Sequence, residues 1–525
     1  MADVSDYIAY KTLVAVGDDG VYYEMASGEL VQLSDSSGDI DSSDQFALFE
    51  CMQKACIANG SILRIADFVN TKLTHSALDT AHAHGDLLTQ ATSEAQMIVD
   101  FTNADKTATY GYVTTGTFTT DYEVTGSGSG SAFTPSAVTA NPHWYSWTVY
   151  PGGNSGELPD KAYLGCSYQG RAVLSGNPNE PEQWYMSKQS DPWNWLYDSD
   201  TAQSAIAGGN GDFGQAGDII TALIPYKDDY LILGCANTIK VIVGNPAAGG
   251  SMNEVDLTRG IYGAKSWCFD GAGNLYFWSQ AEGLCMLPTG FGQIEPLSAG
   301  ALPNIVEDEE INPTVHRICL AYDRKRIGII ITITNTTSGV NSNYFYSLKT
   351  NGFFPFSFPS DSGVYSLLYY PSNTPGHRDL LYGCKCGYVG VLDDATKNDS
   401  VGTATAINAH FTIPITKLNE DDREGKVTST VFELAGGEVN GTYEDSGDLT
   451  YRIYTGDDAE TVAEQIRDSD AALISDVITG AGRKTKIRSR VRGAYLGLKL
   501  SDNTSDNTFG VNRVLVNVEP AGRIR

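Results

Sequence analysis

Three of the chain's seven tryptophans fall within SGNPNEPEQWYMSKQSDPWNW (175–195). Trp184, Tyr185, Trp193 and Trp195 stand there beside Glu-Pro and Asp-Pro steps. Aromatic faces next to carboxylates could hold a sugar ring, and hydrolysis of a glycoside would need two carboxylates at a set separation. No pair is singled out by the sequence, and aromatics packed between strands are the commoner outcome. His82 and His84, as His-Ala-His, would present two imidazoles on one strand face, too few ligands for zinc, so a polar loop is expected. Cys384 and Cys386 share a strand face without a second pair, which reads as buried strand cysteines. The acidic runs EDEE (307–310) and NEDDRE (419–424) lack the ligand spacing and glycine of a calcium loop, and read as solvated turns. Nucleophile-elbow, phosphate-loop and zinc-protease motifs are absent from the sequence. The expectation is a chain without catalytic residues, cofactor or metal.

The remaining constellation is basic. In RKTKIRSRVR (483–492), Lys484, Lys486, Arg488, Arg490 and Arg492 share one parity. An unbroken strand would set all five on one face, with Ile487 and Val491 on the other. A row of cations repels itself unless something negative faces it. Nucleic-acid phosphate is one candidate, and an acidic surface on the same chain or a neighbour is the other. Arginine suits bidentate pairing with carboxylates, and a strong phosphate row would hold a polyanion through counterion release. The protein partner is the preferred reading.

These residues sit in a chain of 525 with 64 acids and 35 bases, a net charge of −29. At 41% apolar residues it is globular, and its acidity argues against free binding to nucleic acid or an anionic membrane. Nine scattered cysteines, with no paired spacing, suggest reduced thiols and assembly in cytoplasm. The first residues carry no basic stretch followed by an apolar one, so no secretory signal is expected, and no run is long enough for a membrane span.

Fifty-five glycines, 29 tyrosines and alternating apolar runs call for strands and tight turns. LVAVGDDGVYYEM (13–25) reads as a hairpin. Strand–turn–strand units begin near Ile219, Ile261, Val315 and Gly363, and LGC (164–166), LGC (233–235) and YGC (382–384) each read as a strand end. A period in the forties built from antiparallel strands predicts a β-propeller. The expected organisation is all-β: first blades in 1–69, an inserted β-rich projection in 70–142 with a flexible GSGSGS tip, remaining blades in 143–400, and a C-terminal β-sandwich-like domain in 401–525. Helical spacing is found in DAETVAEQIRD (458–468), and a second helix is considered in QFALFECMQKACIAN (45–59).

SKQSDPWNW (187–195) is a loose version of the Asp-box turn of sialidase propellers, with its Asp two positions late and the glycine missing. That box is a fold element and places no catalysis. A fuller resemblance runs through GRAVLSGNPNEPEQWYMSKQSDPWNW, TRGIYGAKSWCFDGAGNLYFWSQAEGLCMLP and GRKTKIRSRVRGAYLGLKLSD…FGVNRVLVNVEPAGRIR. In the first an Arg-headed strand leads through a polar loop to an aromatic strand and an Asp-Pro-x-Asn-Trp turn; in the second a Gly-rich strand precedes an apolar stretch followed by Ser and, shortly after, Gly; the third is a basic strand, an apolar strand and a closing strand finishing in Gly-Arg. The chain thereby resembles the tail nozzle, or head-to-tail stabilisation, proteins of short-tailed bacteriophages. The likeness covers 1–45 and 160–525 in organisation and is specific at 171–195 and 261–288; 70–142 matches nothing in the family.

The resemblance implies a structural virion protein without catalytic residues. It implies a homo-oligomeric ring, typically of six subunits, beneath the adaptor ring that hangs from the portal. Such a ring extends and seals the DNA channel, passes genomic DNA during ejection and docks fibres or spikes. Under this reading Trp184, Tyr185, Trp193 and Trp195 pack a blade, with Pro178, Pro181 and Pro192 stiffening its loops. The competing readings are a propeller that binds or hydrolyses surface glycans through the aromatic stretch, and a cellular propeller acting as an interaction hub.

Overall fold

In the computed structural model the described residues are 11–25, 29–149, 157–197, 201–209, 214–359, 363–372, 378–393, 395–400, 404–420, 423–468 and 472–523. The chain divides into two compact units: 1–338, 344–354 and 364–389 in the first, and 339–343, 355–363 and 390–525 in the second.

The first strands form because alternating apolar residues meet at turns that only a few residue types tolerate. Val14–Gly17 and Gly20–Glu24 pair in register across Asp18 and Asp19, whose φ angles are 48° and 54°. Two consecutive positive φ values are what a two-residue turn of the tightest hairpins requires. Leu30–Gln32 completes this three-stranded sheet. The same meander then recurs as sheets that each begin a new inner strand: Ala47–Cys51, Leu164–Tyr168, Ile220–Tyr226, Trp267–Phe269, His316–Asp323 and Val364–Tyr369. Sheets two to six have four strands and the seventh has three.

QFALFECMQKACIAN is therefore a hairpin and not a helix. Ala47–Cys51 and Lys54–Asn59 pair across Met52 and Gln53, again both at positive φ, and bury Cys51, Cys56, Ile57 and Ala58. Nor does LGC mark equivalent positions: Leu164–Cys166 opens an inner strand, whereas Leu233–Cys235 and Tyr382–Cys384 end second strands.

Neighbouring sheets bury their faces against each other. Ile57 and Ala66 of the second sheet pack on Val21 of the first, Leu164 and Trp184 of the third on Leu231 and Leu233 of the fourth, and Trp278 of the fifth on Ile318 and Ile331 of the sixth. Between sheets six and seven, the Cys319 thiol donates to the Tyr365 carbonyl at 3.3 Å and the Thr334 hydroxyl to the Val364 carbonyl at 3.0 Å. The circle closes through Tyr370, just past the seventh sheet's first strand. Its hydroxyl donates to the Glu24 carboxylate in the first sheet and lies 3.3 Å from the Lys11 carbonyl. Seven sheets thus form a β-propeller.

Residues 71–139 leave the second sheet between its third strand, Ile62–Asp67, and its fourth, His143–Ser146. They build a six-stranded sheet in the order Thr125–Gly126, Leu87–Gln90, Ala95–Thr102, Ala108–Thr115, Thr71–Thr74, Ala137–Thr139. Its own core is Leu73, Leu88, Met97, Val99, Phe118, Val124 and Phe133.

The GSGSGS segment does not project. Ser127 Oγ accepts from the Leu87 amide at 2.9 Å, Ser131 Oγ accepts from the Thr80 amide at 3.1 Å, and His82 Nε2 meets the Ser131 carbonyl at 3.1 Å. A Cβ at Gly128 would lie 2.3 Å from Asp86, and one at Gly130 would lie 2.1 Å from His82. Here glycine permits close docking rather than a flexible tip.

In the second unit two sheets face each other as a β-sandwich. One orders Ala409–Lys417, Tyr495–Asp502, Leu449–Gly456, Ile474–Ile478, and the other sets Arg423–Ala435 between Gly510–Arg523 and the pair Gly482–Ile487 and Val491–Gly493. Val427, Phe432, Ile453, Val491, Leu498 and Leu500 fill the space between them. The helix Ala459–Asp468 starts at Asp458, whose carboxylate accepts from the Thr461 amide at 2.7 Å, and buries Val462 and Ile466.

Candidate functional site

Trp184, Tyr185, Trp193 and Trp195 are all buried, at no more than 7% exposure, so none offers a ring face to a sugar in solvent. Trp184 lies between the third and fourth sheets, while Trp193 and Trp195 pack with Phe101, Tyr145 and Trp147. The Asp-Pro-Trp-Asn-Trp turn holds itself together: Asp191 accepts from the Trp193 amide at 3.2 Å, and the Pro192 carbonyl accepts from Trp195 Nε1 and Trp147 Nε1 at 2.9 and 2.8 Å. Arg171, at the head of this segment, is fully buried. Its guanidinium donates to the carbonyls of Ser187 (2.9 Å), Ser204 and Ala202 (3.0 Å). Burial pulls its basicity down to about 10, still leaving it charged at neutral pH.

The basic run is not one row. Strand Gly482–Ile487 ends, residues 488–490 leave the ladder with Arg490 at φ 46°, and a second strand starts at Val491. Lys484 pairs with Phe432, but Ile487 pairs with Thr430, so the register shifts between them. Cross-strand partners share a face, so Lys484 stands on the core-facing side with buried Phe432 and Thr430, away from Arg492. The expected face of five cations is divided by this bulge. Arg488 and Arg490 are exposed, Arg492 pairs with the Glu424 carboxylate of the same chain, and the side chain of Lys486 lies outside the described residues. Arg483 reaches Glu433 at 3.5 Å. Between the arginines, Ser489 is buried and shares a 3.0 Å hydrogen bond with Thr430.

His82 and His84 lie in a loop and turn. Cys384 and Cys386 are joined by a disulfide, a correction to the expectation that all thiols are reduced; the turn at 385–387 brings their Cα atoms to 5.2 Å. Cys51, Cys56, Cys166, Cys235, Cys268, Cys285 and Cys319 are free and buried. Among the described residues no group of three or more His, Cys, Asp or Glu could hold a metal, and no helix is long and apolar enough to cross a membrane.

Two features were missed in the sequence. One is a charged latch between the inserted sheet and the second propeller sheet. Lys54 Nζ meets Asp100 Oδ2 at 2.7 Å, Asn70 donates to Asp67 and Asp100 at 2.7 Å each, Tyr145 donates to Asp67 at 2.6 Å, and His84 Nδ1 lies 3.6 Å from Asp100. Burial alone would raise the Asp100 carboxyl, but His84 and Lys54 together hold it well below the usual range. The hydrogen bond to Asp100 lifts His84 to about 9. The signal was present: Lys54 and Asp100 interrupt the apolar strands KACIAN and MIVDFT.

The other is the propeller's mouth. A cavity of about 370 Å³ is lined by residues of the third and fourth sheets and of the segments leading into the second, third and fifth, among them Asp44, Gln45, Tyr163, Thr221 and Tyr262. The Tyr163 hydroxyl donates to Asp44 at 2.7 Å and that of Tyr262 to the His316 carbonyl at 3.0 Å. Close by in sequence, Lys265 Nζ lies 5.0 Å from the centroid of Phe46. Lys265 and Phe46 lie just before the first strands of the fifth and second sheets, which are not neighbours in the sequence of sheets. Burial pulls the Lys265 amine down to about 8.

Neither a family model nor a curated protein matches the chain. Among solved structures it is similar to the extracellular domain of a putative one-component system from B. thetaiotaomicron, at 13% identity and a TM-score of 0.31, covering 97% of this chain and 67% of that one. The tricorn protease follows at 10% identity and a TM-score of 0.27, covering 71% of this chain and 36% of that one. A β-fructofuranosidase from Schwanniomyces occidentalis gives 8% identity and a TM-score of 0.19, covering 85% and 97%. Likeness this slight carries no activity or ligand across, and the propeller assignment rests on the seven sheets themselves.

Proposed function

We propose that the chain is a structural subunit of a short-tailed phage tail nozzle, which assembles into a ring below the portal and adaptor, extends and seals the DNA channel, and docks fibres or spikes. One observation carries this reading. The segment 171–195, on which the resemblance is most specific, is devoted to packing: its arginine is buried among carbonyls and its four aromatics are buried between strands. A glycan-binding role for that segment would need exposed rings, whereas a scaffold needs what is found.

Electron microscopy of the purified full-length chain, with and without portal–adaptor particles, tests the proposal. Rings that bind the adaptor end of those particles are expected. A chain that stays monomeric in both conditions and cleaves a host surface glycan would overturn it. The mouth cavity favours a second reading, a small polar ligand bound by Asp44, Gln45 and Tyr163, and soaking with neutral oligosaccharides would reveal it.

A further inference from the structure

The inserted sheet has one face on its own core; the other packs Ala108 and Tyr110 against the second propeller sheet and is exposed beyond them. On that exposed part, Leu87, Ile98 and Tyr112 are direct partners across three adjacent strands, Leu87 opposite Ile98 and Ile98 opposite Tyr112. They are 37%, 45% and 55% exposed. Directly opposed residues stand about 5 Å apart, so the three form one continuous apolar row rather than scattered surface contacts. In register beside the row are Thr89, Gln96, Thr115 and Thr125, none of them charged. Asp100, the next residue of its parity on the central strand, is withdrawn from this face into its pairing with Lys54.

We infer that this row is the face through which one copy of the chain docks on a second copy. The argument is electrostatic. Each copy carries a net charge of −29, so two copies repel each other wherever acids meet, and every acid brought into the contact would have to be desolvated without a cation to match. The cation on the same face, Lys72, lies over the Tyr110 ring, 5.8 Å from its centroid, at the end that packs on the propeller, and the exposed row itself is uncharged; a nucleic acid or an anionic surface would require a patch of cations, and a strongly basic partner a patch of acids. A flat, neutral, apolar strip suits a like-charged copy, because the attraction comes from burial and the charges stay at the rim. The row also lies on a sheet held to the second propeller sheet by Lys54–Asp100, so docking there fixes the propeller's orientation too.

The inference rests on the ring reading, and the experiment separates the two. Self-association of the full chain is measured by sedimentation for the wild type, Ile98→Asp, Tyr112→Asp, and a control, Leu257→Asp, at an exposed apolar position just past the last strand of the fourth sheet. Circular dichroism and melting check that each variant is folded. If the row is the contact, each row variant weakens association about tenfold or more and the control does not. Folded row variants that assemble like the wild type overturn the docking face and leave the ring standing. A wild type that stays monomeric up to high concentration, with and without portal–adaptor particles, overturns both. Where Ile98→Asp alone fails to fold, Tyr112→Asp, at the more exposed position, decides.

Discussion

Asp100 joins two parts of the molecule that are distant in sequence and belong to different sheets. Its carboxylate takes Lys54 from the propeller, Asn70 from the connecting segment and His84 from the inserted unit. Lys54 is nearly enclosed, so Asp100→Asn strands a buried ammonium, and a loss of about 3–5 kcal/mol is expected in chemical denaturation. The pH dependence follows from the two opposite shifts. The depressed Asp100 contributes stability that is present above its ordinary value near 4 and is lost as pH falls through its lower folded value. The raised His84 contributes stability that is complete below about 6.5 and is lost as pH rises through about 9. Wild-type stability should therefore fall between pH 7 and 10 more than that of His84→Ala. Equal slopes for the two proteins would remove the histidine from the latch. None of these partners could be paired from sequence, because residues 16 (His84) and 30 (Asn70) or more positions from Asp100 meet it only once the insertion has folded back.

At the scale of elements, parity was legible and its interruptions were not. Unit starts expected near Ile219, Val315 and Gly363 lie one residue from the observed strands at Ile220, His316 and Val364, because turn residues and alternation are local signals, whereas the start expected near Ile261 falls in the loop before the strand at Trp267. The basic run failed for a reason that is also local but silent. A bulge needs no glycine or proline, and Arg490 takes the left-handed conformation in a stretch whose composition reads as an unbroken strand. Arg490→Gly should fold within about 0.5 kcal/mol of the wild type. Arg490→Val should lose about 1 kcal/mol or more, since a β-branched residue resists positive φ; in a regular strand valine would be favoured instead. The Gly/Ser segment was misread in the opposite sense, as flexible when it is docked. Removing Thr125–Ala132 deletes an edge strand and uncovers His82 and Leu88, so thermal unfolding of this deletion should show the inserted unit melting earlier than in the wild type.

At the scale of the whole molecule, the sequence announced a propeller through its period but could not announce closure, which brings the seventh sheet back to the first. Tyr370 reaches Glu24 across 346 positions. Tyr370→Phe removes that hydrogen bond and leaves Glu24 with its 3.3 Å bond from the Leu13 amide; a loss of about 1–3 kcal/mol is expected in denaturant titration. The contact also imposes an order of events during synthesis. At roughly 5–20 residues per second, the first sheet emerges tens of seconds before its last neighbour exists. Through that interval one face of the opening hairpin has no sheet to lie against, and its strands are free to pair with other chains. The price of a ring sealed by its two ends is a long wait for the second end. Chains stopped before residue 363 should accumulate as aggregates even though six of the seven sheets are present, and the missing seventh sheet supplied as a separate fragment should rescue them.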